Sequence, residues 1–206
     1  VLGDPRTLYG RGGGVFGLAR LADRLMDAWM EDPRLNGNQK VARWHESQQK
    51  YGFKFLVTQI MGYLTGGPQR YTGRPMEEAH KHLEITPQQW SSFMADADRV
   101  FQEFNMDANT KQELIGILSA YQSACVLGLG EVAPADPGLL RPSGNGSTLY
   151  QRLGGVYPIS QFVDGLVELV LRGDRVHIQH DPLSNPLGTR HPPGLKYMLT
   201  ELVCNG

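Results

Sequence analysis

The residue best suited to chemistry is a histidine that follows a stiff loop. Gly66-Gly67-Pro68 forces a bend, because glycine tolerates positive φ and the residue before a proline avoids helical angles. A short helix with Pro75 near its start is predicted next. On it, Met76, His80 and Leu83 are spaced i, i+4 and i+7, so they share one face. Such an imidazole is either a core histidine bonded to a backbone carbonyl or a metal ligand.

Two separated motifs carry a family resemblance. One is the string GGPQRYTGRPMEEAH, which ends at His80, and the other is LYGRGGG, which begins at Leu8. Together they resemble the truncated haemoglobins, the two-over-two helical globins, of group I type. The resemblance covers about residues 7 to 127 and, less completely, residues 148 to 206. It implies an all-α fold, a two-over-two helical sandwich, that binds haem iron.

Carried over by position, the resemblance makes His80 the proximal haem ligand. A ligating imidazole usually donates its other N–H to an oxygen, and a backbone carbonyl near Met76 is the expected acceptor. Five further side chains are expected near the cofactor: Met26, Phe55, Tyr71, Met76 and Leu83. Phe93 is expected mainly in the core, with cofactor contact as the alternative.

On the distal side the sequence departs from the family. Many truncated haemoglobins place a tyrosine in the second helix, where it donates to bound oxygen, but Met26 stands here and cannot donate. Aligning Phe55 with a family aromatic puts Gln48 and Tyr51 over the iron, on one helix face. A shifted register places Tyr51 and Lys54 toward the iron instead, so Tyr51 is the donor common to both alignments. Its alternative role is a core tyrosine.

Several charged or polar residues have competing interpretations. His45 precedes the distal helix and is a candidate sixth ligand. His82 is expected on the solvent or propionate side, because it faces away from His80. Arg74 and Lys81 are expected to be surface charges, with propionate pairing as the alternative.

Apolar spacing predicts the helices that position these residues. It indicates helices over residues 17–31 and about 46–63, separated by a polar loop over 34–45. Thr86-Pro87-Gln88-Gln89 matches a capping box, which predicts that a core-facing helix begins there. Asn109 is expected to cap the last helix.

Composition excludes several classes of function. The formal net charge is −1, so nothing favours nucleic acid or an anionic membrane surface. No apolar run approaches the roughly 20 residues that span a bilayer. The two cysteines lack metal-type spacing, which suggests an intracellular, reducing compartment, cytoplasm or organelle. No nucleophile–base pair or phosphate-binding loop supports an enzyme without haem.

The second half of the chain repeats the first. We predict a globin domain over 1–127, a Pro- and Gly-rich linker over 128–147, and an incomplete second globin unit over 148–206. Leu149-Tyr150 matches Leu8-Tyr9, and later matches lack any counterpart of His80. The uncovered apolar faces need a partner chain, self-association, a continuation of the chain, or packing onto the first globin.

The resemblance therefore implies a haem protein that binds a diatomic gas, oxygen or nitric oxide, or performs redox chemistry at the iron. The alternative is a globin-like structural subunit of a larger assembly without haem. Met26 and the half-length repeat favour the alternative, whereas the intact loop and His80 favour haem.

Overall fold

The computed structural model describes residues 3–45, 49–138, 146–172 and 192–205. All regular secondary structure in these residues is helical, and one isolated bridge joins Ile85 and Val126. The prediction of an all-α fold is confirmed. In the described residues, no helix combines the length and the apolar character that a membrane crossing requires.

The helices follow the chain in two series. The first series is α1 (Leu8–Arg11), α2 (Gly14–Glu31), α3 (Pro33–Asn36), α4 (Gln39–His45), α5 (Lys50–Leu64), α6 (Met76–His80), α7 (Pro87–Glu103), α8 (Ala108–Ser119) and α9 (Gln122–Cys125). A 3-10 turn, Lys81–Leu83, follows α6. The second series is α10 (Leu149–Arg152), α11 (Val156–Arg172) and α12 (Pro192–Asn205).

These helices form two compact units that do not follow chain order. The first unit combines residues 1–23, 51–70 and 141–206, and the second combines 24–50 and 71–140. Helix α2 therefore contributes its first part to one unit and its second part to the other. The division into domains at 1–127, 128–147 and 148–206 stays a prediction.

In the first unit, the same local structure occurs twice. Thr7 and Thr148 each cap a short helix, α1 and α10, by accepting a backbone N–H through the side chain. A pair of glycines with positive φ then stands at the start of each long helix. Gly13 precedes α2 and Gly14 is its first residue, whereas Gly154-Gly155 precede α11. Glycine suits these positions because other residues rarely adopt such angles.

Helices α11 and α12 pack on each other through an apolar cluster. Ile159, Val163 and Val167 form its buried centre, and side chains of α12 such as Leu195 and Leu199 pack against them. These residues recur at helical spacing, as a buried stripe requires.

In the second unit, the end of α2 runs along α7. Arg24 forms two hydrogen bonds with Glu103, at 2.8 and 2.9 Å, and the Trp29 indole donates to the Phe93 carbonyl at 3.1 Å. The capping box at Thr86 is confirmed, because Thr86 and Gln89 each accept the other's backbone N–H.

Two local predictions are wrong. Residues 34–45 are not a loop but mostly α3 and α4, because Asp32 caps α3 and Pro33 occupies its first turn. That pair both ends one helix and starts the next. Asp107, not Asn109, caps α8 by accepting the Thr110 N–H.

Candidate functional site

His80 is oriented by a hydrogen bond within its own helix. Its Nδ1 lies 2.9 Å from the Met76 carbonyl oxygen, which can only accept, so Nδ1 carries the hydrogen. This assigns Nε2 as the basic nitrogen. Among the described residues, Nε2 has no hydrogen-bond partner. Burial lowers the pKa of His80, outweighing the Met76 hydrogen bond, so the neutral imidazole is favoured. A half-buried, neutral, oriented imidazole fits a haem iron ligand.

The helix that carries His80 ends at that residue. His80 has φ −127°, the 3-10 turn follows, and Glu84 closes it in the left-handed region at φ 54°. The expectation that Leu83 shares one continuous helical face with Met76 and His80 is therefore wrong, because the α-helical register stops. Leu83 is nevertheless buried, and its carbonyl accepts from the Asn38 side chain at 2.8 Å.

Lys81, next to His80, is not a surface charge. Its side chain is buried, and Nζ donates to the Val126 carbonyl at 2.9 Å and to Glu131 Oε2 at 2.6 Å. The hydrogen bond from Lys81 holds the pKa of Glu131 below its usual range. The prediction of a surface charge missed this pair because the carboxylate lies fifty residues away in sequence, in a Pro- and Gly-rich segment.

Residues 128–138, which we call the strap, contact the His80 segment at further points. Arg74 donates to the Gly138 carbonyl at 2.8 Å through an exposed hydrogen bond, so it contacts the strap while staying near the surface. His82 is buried rather than solvated, and its Nε2 lies 3.8 Å from Asp136. The Leu127 N–H donates to the Ile85 carbonyl, where the strap begins. The segment around His80 is thus held by contacts that neighbouring residues alone do not reveal.

The other candidates in the second unit occupy defined positions. The Tyr71 hydroxyl donates to the Arg74 carbonyl at 2.9 Å, within the bend before α6. Phe93 stacks between Trp29 and Trp90, with ring centroids 4.2 and 4.9 Å away, which agrees with a core role. Met26 is buried and offers no donor. Cofactor contact by these residues stays a prediction.

Three of the distal candidates, Tyr51, Lys54 and Phe55, belong to the first unit. Phe55 is buried and stacks on Tyr197, with centroids 5.0 Å apart. Tyr51 and Phe55 line a cavity together with α12. Lys54, the alternative distal residue, pairs with Asp23 at 2.7 Å. Gln48 lies outside the described residues, so its predicted position over the iron stays a prediction, as does that of Tyr51.

His45 has a partner of its own. Its Nδ1 lies 2.7 Å from the Asn36 side-chain oxygen, and burial lowers the pKa of its imidazole. The hydrogen bond fixes the ring at the end of α4. A role as sixth iron ligand stays a prediction.

A carboxyl pair in the second unit was not predicted at all. Asp32 and Asp96 are both buried, and Arg34 contacts both, at 2.9 and 3.4 Å. Arg34 lowers the pKa of Asp32, whereas burial and Asp32 raise that of Asp96. Arg34 favours the charged form of Asp32, and burial together with the neighbouring Asp32 disfavours the charged form of Asp96. No sequence signal joins residues so far apart.

Comparison with known proteins agrees with the helical structure. A family model for bacterial-like globins matches residues 7–126. The match includes both motifs, His80, and every helix from α1 to α9. A search of curated proteins gave no match. Since the family match spans more than half of the chain, this protein belongs to the bacterial-like globin family.

Proposed function

We propose that the chain binds haem with His80 as the proximal ligand and binds a diatomic gas, oxygen or nitric oxide. The hydrogen bond between His80 Nδ1 and the Met76 carbonyl carries the proposal, because it presents Nε2 as a ligand. Haem iron supplies a coordination position for such a gas and one-electron redox chemistry. Both haem and oxygen binding are typical of globins in this family.

Each neighbouring residue has a role in this proposal. The Met76 carbonyl holds the imidazole tautomer, and the pair of Lys81 and Glu131 fixes the backbone that follows His80. Tyr71 and Leu83 shape the same segment. On the distal side Met26 offers no hydrogen bond, so Tyr51 or Gln48 is the donor.

A globin-like structural subunit without haem is the rival. It is favoured by the stacking of Phe55 on Tyr197, which gives a predicted haem contact another partner. The absorption spectrum of the purified chain mixed with haemin separates the two functions. A Soret band typical of histidine-ligated haem supports haem binding, and its absence supports the rival.

We further propose a group I truncated globin followed by a partial second unit over residues 148–206. The caps at Thr7 and Thr148 and the paired positive-φ glycines support the repeat. So does an ion pair that occurs twice, Lys54 with Asp23 and Lys196 with Asp164. The apolar faces of this partial globin need a surface to cover them. Contacts within the first compact unit support packing of α11 and α12 onto helices of the first copy.

The ligand assignment is tested by replacing histidines one at a time. We expect His80→Gly to lose the spectrum of histidine-ligated haem and to regain it when imidazole is added, because the free base replaces the missing side chain. His82→Gly is the matched control, two residues away, and should keep the spectrum. Circular dichroism checks that each variant is folded. An unchanged spectrum in His80→Gly would refute the assignment.

A further inference from the structure

Within the first unit, helices of the two copies contact each other through reciprocal positions. The repeat pairs Phe16 with Tyr157 and Gly52 with Gly194. A side chain at Gly52 would collide with the Tyr157 ring, and a side chain at Gly194 would collide with the Phe16 ring. The glycine of each copy therefore contacts the aromatic residue of the other copy, so the same contact occurs twice. Reciprocal contacts of this kind define an isologous, twofold interface.

The centre of this interface shows the same symmetry. Phe55 and Tyr197 are equivalent positions, and they stack on each other with an interplanar angle of 22°. Only a residue beside a twofold axis contacts its own equivalent. Thr58 and Thr200, a further equivalent pair, line the same cavity and are both buried.

Charged residues flank the centre in matched positions. Lys54 pairs with Asp23 at 2.7 Å, and Lys196 pairs with Asp164 at 2.6 Å. All of them line the cavity around the stacked rings. Each copy thus neutralises this lysine within its own helices, so neither of the two lysines needs a carboxylate from the other copy.

We propose that this is a globin–globin interface, in which α11 and α12 take the place of a second subunit. On this proposal, residues 14–23 of α2 and helix α5 form one face of the interface. The equivalent helices of the second copy, α11 and α12 of the same chain, bind to that face. The inference rests on the proposed repeat and not on haem. A chain without a Soret band would leave it intact.

The reciprocal contacts are tested in the full chain by substitutions that disrupt each contact and by second substitutions that relieve the collision. Gly52→Leu and Gly194→Leu each force a side chain into an aromatic ring, and we expect each to lower Tm by roughly 2 to 12 °C. Tyr157→Ala should restore most of the loss in Gly52→Leu, and Phe16→Ala should do so in Gly194→Leu. The crossed combinations should not recover. Gly165→Leu is the control, because a Cβ at this position meets no atom within 4 Å outside its own helix backbone.

The source of the partner half is tested by crosslinking. In a Cys125→Ser, Cys204→Ser background, Phe55→Cys and Tyr197→Cys together should react with a short bismaleimide to give a crosslink within one chain. The single-cysteine variants are the controls. Crosslinks only between chains would overturn the proposal. Equal recovery of Tm in the crossed combinations would also overturn it, because the proposal pairs Gly52 with Tyr157 and Gly194 with Phe16.

Discussion

Helices α2 and α11 share one buried face but differ in a second. The shared face carries Leu18 and Ala22 in α2 and their equivalents Ile159 and Val163 in α11, all nearly inaccessible to solvent. The second face carries Leu21, Leu25 and Ala28 in α2, which are 1%, 1% and 3% exposed. Its equivalents in α11 are Phe162, Leu166 and Leu169, which are 68%, 42% and 72% exposed.

On the proposed repeat, the difference follows from the helices that each copy contains. In α11 the shared face is closed by α12, which the partial unit has. In the second unit the end of α2 lies along α7, as the contacts of Arg24 and Trp29 show. The proposed partial unit has no counterpart of α7 among its described residues. If the proposed repeat holds, the partial unit keeps its inner packing while its second face stays exposed.

The largest expected effect is a difference in lost stability between two substitutions at this second face, one in α2 and one in α11. Leu21→Ala should lower the free energy of unfolding by about 2 to 5 kcal/mol, because it opens a cavity in the core. Phe162→Ala should change it by less than about 0.5 kcal/mol, because most of that ring is already in water. Urea denaturation followed by circular dichroism measures both. Equal losses would mean that another surface covers Phe162, such as a second copy of the chain.

A smaller effect should be the same in both copies. Thr7→Ala and Thr148→Ala each remove a side-chain acceptor at a helix start, so each should cost about 1 kcal/mol. Serine at either position keeps the hydroxyl and should restore most of the loss. Urea denaturation of the four variants provides the comparison. A loss at only one of the threonines would break the equivalence of α1 and α10.

Sequence predicted those parts of the fold and site that depend on nearby residues. The capping box at Thr86 and the hydrogen bond from His80 to Met76 join residues three and four apart. Helical spacing and local hydrogen-bonding capacity were enough to expect both. The helix at 33–36 could also have been found, since Asp32-Pro33 is a start signal.

The remaining features depend on partners far away in sequence. Lys81 is buried with Glu131 of the strap as its partner, and Arg34 pairs with both Asp32 and the distant Asp96. The stacking of Phe55 on Tyr197 joins residues that the proposed repeat makes equivalent, so a register taken from residues 1–127 alone cannot reveal it. Repeat equivalence was the signal available, because it pairs these two residues in the sequence.

The smallest expected effect concerns the ion pair that occurs once in each proposed copy, Lys54 with Asp23 and Lys196 with Asp164. Lys196 also binds Glu168 at 2.8 Å. Burial lowers the pKa of Lys196, but Asp164 and Glu168 outweigh it, so the net shift is upward, and Lys196 in turn lowers the pKa of Glu168. A lowered carboxyl pKa adds stability above its unfolded value, about 4.3, that is lost as pH falls through the folded value. A raised lysine pKa adds stability below about 10.4 that is lost as pH rises through the folded value.

Lys196→Met should therefore reduce the free energy of unfolding at pH 7, but by no more than about 1 kcal/mol, because Glu168 is partly in solvent. As pH falls from 7 toward 3 the loss should shrink, since protonation of Glu168 on passing its folded-state pKa removes its attraction to Lys196. Thermal unfolding across that range measures the difference between Lys196→Met and the unaltered chain. Glu168→Gln is the control, because it should remove this part of the pH dependence. An equal loss at both pH values would assign the effect to packing of the lysine stem, which is independent of charge.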